Sequence, residues 1–215
     1  MPGTLQGDPE PNNNFGQAAQ ISLQDTLKGL IGYVQSGTRD SYDYFIAGIN
    51  KNSSLKIYVE GEHTGGSAGS FSVYAYDKNR RTLFSKAAVG TGTFNKGDIL
   101  KDTLLVNCNA TDSIYILVYQ GATRSFSYNL RFEEIDNAPK ANFTYTRTGN
   151  DFGFVNNSKN TNSFVWNFGN GTTGNVSMPV VNYKPGVYNV RLIATNATCN
   201  FRDTMQQTLT ITGIE

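Results

Sequence analysis

Histidine is almost missing from this sequence: His63 is alone among 215 residues. Without a second imidazole, a thiol–histidine pair or an H-E-x-x-H run, the chain lacks the usual means of general acid–base, nucleophilic or zinc-dependent hydrolysis. Charge is scarce and balanced, with 16% Asp, Glu, Lys and Arg and a formal net charge of +1. A basic stripe of the kind that holds a phosphate backbone is absent, which excludes nucleic acid as a partner. No apolar run approaches the roughly 20 residues that cross a bilayer as a helix, so membrane insertion is not expected. Residues 1–20 show neither the basic nor the apolar region of a signal peptide, and the chain reads as an excised piece of a longer secreted protein. Two cysteines, Cys108 and Cys199, are too few and too far apart for a metal knuckle or a dense disulfide framework. Burial as small hydrophobes is the preferred reading for both; one long-range disulfide in an oxidising compartment is the alternative.

What the sequence has instead is Gly, Asn, Ser, Thr and Tyr, a composition that favours strands and turns over surface helices. From Ile21 onward, short alternating or β-branched apolar segments recur between clusters such as Asn50-Lys-Asn-Ser53 and Asp77-Lys-Asn-Arg80. That rhythm predicts an all-β chain of two β-sandwich domains, the first jelly-roll-like and the second immunoglobulin-like. Strands are expected over 20–35, 42–49, 54–60, 71–76, 82–88, 99–108, 113–119 and 125–133. A polar, proline-containing stretch, Glu134-Ile-Asp-Asn-Ala-Pro-Lys140, interrupts the rhythm, and the boundary is placed between residues 136 and 137. Strands then restart over 141–147, 151–156, 163–168, 176–181, 186–196 and 203–212. The only helical turn expected is Phe15–Ala19, with asparagines before it as N-caps.

The second unit carries Phe164-Val-Trp-Asn-Phe-Gly-Asn-Gly171, then Asn182-Tyr-Lys-Pro-Gly-Val-Tyr-Asn-Val190 and Leu192-Ile-Ala-Thr-Asn196. It resembles a PKD domain, whose centre usually reads W-D-F-G-D-G. Asn167 and Asn170 stand where those aspartates would be, preserving the turn chemistry and weakening any cation affinity. The resemblance implies that Trp166 is a core residue. The first unit carries Asp8-Pro-Glu-Pro-Asn-Asn13, then Asp40-Ser-Tyr-Asp-Tyr-Phe45, and a Tyr-rich pair of strands, Ile114–Tyr119 and Phe126–Leu130. It resembles the bacterial pre-peptidase C-terminal domain, a sandwich related to the collagen-binding domains of clostridial collagenases. Residue by residue, that resemblance implies a calcium site made by Asp8, Glu10, Asn12 and Asn13 from the opening segment and by Asp40 and Asp43 from the second motif. Calcium takes six to eight oxygens in irregular geometry, which this mixture of carboxylates and amides suits. Without the resemblance, the same residues read as an acidic linker, an N-cap and a solvated turn.

Two other features need weighing. Gly65-Gly-Ser-Ala-Gly69 matches G-x-S-x-G, but a nucleophile elbow needs a strand entering and a helix leaving, and here a second β-type segment follows. It reads as a flexible loop, and the chain as a non-enzyme. Tyrosines on one sheet form a rigid amphipathic platform, and Tyr42, Tyr74, Tyr76, Tyr115, Tyr119 and Tyr128 are the candidates for binding an extracellular polysaccharide or protein polymer. The expected role is a secreted or cell-surface accessory region of a peptidase or glycoside hydrolase, used in targeting and spacing; the alternative is an adhesin or stalk module. The closing Thr212-Gly-Ile-Glu215 resembles the lead-in to a Bacteroidetes C-terminal sorting domain.

Overall fold

The computed structural model describes residues 5–6, 10–35, 37–86, 89, 94–109 and 111–212. Its contacts divide the chain into two compact units, the first ending at Ile135 and the second beginning at Asp136. In the first unit the strands are β1 (Leu5–Gln6), β2 (Ala19–Ile21), β3 (Thr26–Ile31), β4 (Val34–Gln35), β5 (Thr38–Arg39), β6 (Tyr42–Gly48) and β7 (Ser53–Gly66). They continue with β8 (Ser72–Tyr76), β9 (Thr82–Lys86), β10 (Ile99–Asn109), β11 (Ser113–Tyr119) and β12 (Arg124–Asp136). Two five-stranded sheets result, in the orders β1-β3-β12-β7-β10 and β2-β6-β11-β8-β9, with β4 and β5 as a small separate hairpin.

Alternation explains the core. In β6, Asp43, Phe45 and Ala47 are buried while Tyr42, Tyr44 and Ile46 face outward; in β12, Phe126, Tyr128 and Leu130 point in. Those inward rows meet Leu55, Ile57 and Val59 of β7 and Ile114, Ile116 and Val118 of β11 in one continuous core.

The segment read as a strand over 20–35 is broken. Ser22 accepts a hydrogen bond from the amide of Gln24, and the amide of Asp25 donates to the carbonyl of Ser22, forming a turn. The chain therefore leaves one sheet after Ile21 and joins the other at Thr26. The helical turn is a single 3-10 turn at Phe15–Gln17, capped by Asn14, whose side chain accepts from the amide of Gly16 at 2.9 Å. The stretch after Glu134 is less irregular than its sequence implies, because β12 runs on to Asp136.

In the second unit, β13 (Phe143–Thr148), β14 (Asp151–Asn156) and β17 (Val180–Asn182) form one sheet. The other contains β15 (Ser163–Asn167), β16 (Thr173–Gly174), β18 (Gly186–Asn196) and β19 (Phe201–Ile211), in the order β16-β15-β18-β19. Trp166 is fully buried between Phe143, Phe154 and Phe168, and its indole N–H donates to the Val176 carbonyl at 2.9 Å. The strand expected over 176–181 is shorter, beginning at Val180: the carbonyls of Ser177 and Pro179 accept from the amides of Asn156 and Phe154, but Pro179 has no N–H to return to the ladder. Asn167 and Asn170 perform the turn chemistry expected of aspartates: their Oδ1 atoms accept from the amides of Gly169 and Thr172 at 2.9 and 3.0 Å. Gly169 and Gly171, at φ +75° and +89°, supply the left-handed backbone that this turn needs.

The preferred reading of the cysteines is corrected. Cys108 and Cys199 are both half-buried, outside the hydrophobic cores, and neither is a free thiol. Cys108 lies one residue before the end of β10 at φ +53°, within a register shift between Val106 and Asn109 that interrupts the alternating inward row.

Candidate functional site

The first motif pair converges. Glu10, Asp40 and Asp43 each present a carboxylate oxygen within 4.8 Å of the others, Asp43 from β6, Asp40 from the approach to it and Glu10 from the segment before the 3-10 turn. Backbone pairing fixes that meeting: the amide of Tyr44 donates to the carbonyl of Asn12 at 2.9 Å, and the amide of Asn12 donates to Glu10 Oε2 at 3.2 Å. The Glu10–Pro11 peptide is cis. Asn12 and Asp43 are fully buried and Asp40 is 9% exposed, whereas Glu10 reaches solvent. Oδ1 of Asn12, Oδ2 of Asp40 and Oδ1 of Asp43 are all shut off from water. The exposed Asn13 belongs to the same group: with Nδ2 turned inward it donates to the Tyr42 carbonyl and to Asp40 Oδ1, at 3.0 Å each. Of the six expected metal ligands, five lie together; Asp8 lies outside the described residues, as do residues 213–215 of the closing motif.

One member of the group was assigned elsewhere by sequence. Tyr128 is 1% exposed, so it takes no part in an outer binding face. Its place in β12 between Phe126 and Leu130 turns it inward, where its hydroxyl donates to Asp43 Oδ2 at 2.6 Å. Gly29, its cross-strand partner in β3, makes this reach possible: a Cβ there would lie 2.2 Å from the Tyr128 hydroxyl oxygen. Buried tyrosines need such a partner, and a carboxylate acceptor makes the bond a strong one. Arg39 borders the same cleft of about 570 Å³ with Glu10, Asn13, Asp40 and Tyr42, and its guanidinium donates to the carbonyls of Gly32 and Arg124.

The other five candidate tyrosines share one face. Register pairs Tyr42 with Tyr119 and Tyr115 with Tyr76, and Tyr74 sits two residues from Tyr76 on β8. Tyr44, which sequence reasoning passed over, lies among them, two residues from Tyr42 on the same side of β6. The face has two halves. Phe15, from the 3-10 turn, lies over Tyr44, Tyr76 and Tyr115 with ring centroids 4.8, 5.3 and 5.2 Å away, and Arg80 stacks on Phe15 at 4.9 Å. Burial beneath that roof holds the Tyr44 and Tyr76 hydroxyls above their ordinary pKa. Tyr42 and Tyr119, whose rings are 4.9 Å apart, form the open half; Tyr42 is 41% exposed, and its proximity raises the pKa of Tyr119. Phe15 could have been found from its position directly after three asparagines, where an aromatic has no strand of its own to fill.

His63 belongs to neither site. It is buried in β7 against Phe126, with ring centroids 4.9 Å apart, and neither ring nitrogen has a hydrogen-bond partner among the described residues. Gly65 and Gly66 of the G-x-S-x-G match end β7 itself, and the segment that follows leads to strand β8 rather than to a helix.

Neither a protein-family model nor a curated protein matches the chain. Among solved structures it is similar to the PKD1 domain of the Vibrio cholerae metalloprotease PrtV, with 34% identity, covering 34% of this chain and 96% of that one, at a TM-score of 0.32. It is similar likewise to the PKD1 domain of Vibrio anguillarum Epp, with 29% identity over 34% of this chain and 93% of that one, at a TM-score of 0.32. A third is the pre-peptidase C-terminal domain of a collagenase from Bacillus anthracis, with 15% identity over 57% of this chain and all 100% of that one, at a TM-score of 0.37. The solved structures thus include both kinds of domain that the sequence resembles.

Proposed function

We propose that the chain is a non-catalytic accessory region of a secreted bacterial hydrolase, in which one calcium ion fastens the opening segment to the first sandwich and a tyrosine face meets an extracellular polymer. The convergence of Glu10, Asp40 and Asp43 within 4.8 Å carries this reading. Packing three carboxylates together, one of them fully buried, is costly unless a cation neutralises them. The donors are all oxygen, mixing carboxylates with the amide of Asn12, a set that suits calcium rather than zinc or copper. Asn13 would join them by turning Oδ1 inward in place of Nδ2, since a cation reverses the preference of that position from donor to acceptor. Tyr128 orients the Asp43 carboxylate from behind.

Thermal unfolding tests the ion. Because a ligand bound only to the folded form stabilises it by mass action, calcium at a hundredfold over its Kd adds about 2.7 kcal/mol, and a chelator removes it. An unchanged transition, with Asp40→Ala equally silent, ends the calcium reading. Pull-down on collagen, cellulose and chitin tests the face: Tyr42→Ala and Tyr119→Ala should release any polymer that the chain retains. Failure to retain any of them favours the spacer of a cell-surface stalk.

A further inference from the structure

The outer face of the other sheet is different in kind. Across β3, β12, β7 and β10 it forms an open cup of about 450 Å³, lined by Lys28, Asn129, Arg131, Tyr58, Lys101 and Thr103 among others. Strand register assembles it from residues far apart in sequence: Lys28 faces Asn129 across β3 and β12, while Tyr58 faces Thr103 and Glu60 faces Lys101 across β7 and β10. These positions alternate with the core row, so their side chains project from the sheet.

The cup's charges do not cancel. Glu60 pairs with Lys101 at 2.8 Å, and Asp102, also on the rim, pairs with Lys86 at 3.1 Å. Lys28 and Arg131 line the same cup and have no ion-pair partner among the described residues. Arg131 lies over the Tyr58 ring at 5.3 Å, and the Tyr58 hydroxyl is anchored by donating to Glu133. The floor is therefore an anchored aromatic ring, flanked by two cations that have no ion-pair partner among the described residues and by amide, hydroxyl and carboxylate groups.

We propose that this cup binds an acidic saccharide, a sugar bearing carboxylate or sulfate. Lys28 and Arg131 take the anionic group, Arg131 in the two-pronged manner that guanidinium allows. Asn129, Thr103 and the Glu60–Lys101 pair offer donors and acceptors to hydroxyls, and the edge of Tyr58 supports a ring face. An apolar peptide finds little here, because the lining is mostly polar. The inference rests on neither the calcium reading nor the tyrosine face: the tyrosines lie on the other sheet, and Glu10 of the carboxylate group borders an adjoining pocket that shares Lys28 and Asn129 with the cup.

The test uses the whole chain, with chelator present, and titrates trigalacturonate, a chondroitin sulfate tetrasaccharide, neutral cellotriose and a tetraglutamate peptide by calorimetry. Binding of either acidic sugar, at least tenfold tighter than cellotriose and tetraglutamate, is expected; which of the two binds distinguishes carboxylate from sulfate as the source. Lys28→Gln and Arg131→Gln should each weaken that binding about tenfold, the value of one good charged contact. Lys184→Gln, which removes an exposed cation of the second unit, should leave it unchanged. Equal binding of all four probes, tighter binding of tetraglutamate, or full affinity in both charge variants overturns the proposal. Because the two substituted side chains are exposed, their unfolding temperatures should match the parent, which separates lost binding from lost fold.

Discussion

Replacing Asp43 with asparagine should stabilise the calcium-free chain, the reverse of what a buried substitution usually does. Asp43 is fully buried, Asp40 is 9% exposed, and their nearest ligand oxygens lie within 4.8 Å. At that separation and an effective dielectric constant near 20, their mutual repulsion reaches about 3.5 kcal/mol; the exposed Glu10 is screened by solvent and adds little. Asparagine keeps an oxygen for the Tyr128 hydroxyl but turns a charge-assisted bond into an ordinary one, which costs about 1.5 kcal/mol. The net gain is about 2 kcal/mol, or roughly 8 °C in the midpoint of a unit this size. With excess calcium the order reverses, because the parent gains its ion and the variant does not. Calorimetric or fluorescence melts of both proteins, in chelator and in calcium, give the four midpoints required. An Asp43→Asn protein that melts below the parent in chelator and still responds fully to calcium would refute the reasoning, leaving Asp43 as a structural acceptor for Tyr128.

Three further outcomes are expected. His63→Leu removes two buried nitrogens that have no hydrogen-bond partner among the described residues, and should raise stability by about 1–2 kcal/mol, read as a higher urea midpoint at constant slope. Gly29→Ala pushes the Tyr128 hydroxyl off Asp43, so it should cost about 2 kcal/mol in denaturant unfolding, and Tyr128→Phe placed on top of it should add little more. Burial raises the pKa of Tyr183 to about 12, with its hydroxyl donating to the Phe168 carbonyl at 2.8 Å. The neutral form is favoured in the folded state, so this stabilisation of about 2–3 kcal/mol is whole below pH 10 and lost as pH rises through 12. Absorbance at 295 nm should show this tyrosine ionising late, and Tyr183→Phe should flatten the alkaline loss of stability.

The strands were legible because the code for them is local: alternation and turn residues suffice, and 113–119, 151–156 and 186–196 agree with the structure end to end. The two pieces of the carboxylate cluster were legible only through a family resemblance, because nothing local joins residue 10 to residue 40. The inward position of Tyr128 is itself locally encoded. Its neighbours Phe126 and Leu130 share its parity, and parity alone turns it inward. Tyr44 was missed for the opposite reason: Asp43, an inward acid beside an outward tyrosine, blurs the contrast between the rows of β6. Lys28, Tyr58, Lys101 and Arg131 could not be grouped at all, since their meeting depends on sheet order, and sheet order is a property of long-range pairing.

The turn at residues 22–25 carries the chain from one sheet to the other, and β2, just before it, runs parallel to β6 along Ala19–Ile21. Mechanical load is where that arrangement has its effect. A pull along β2 from the N-terminal side meets hydrogen bonds lying across the line of force, which must fail together instead of opening one after another like a zipper. Beyond them, β3 is rooted in the opposite sheet through five partners on β12. Tension that follows this path must shear β2 from one layer of the sandwich before it can reach β3 in the other, so the two layers resist it in turn.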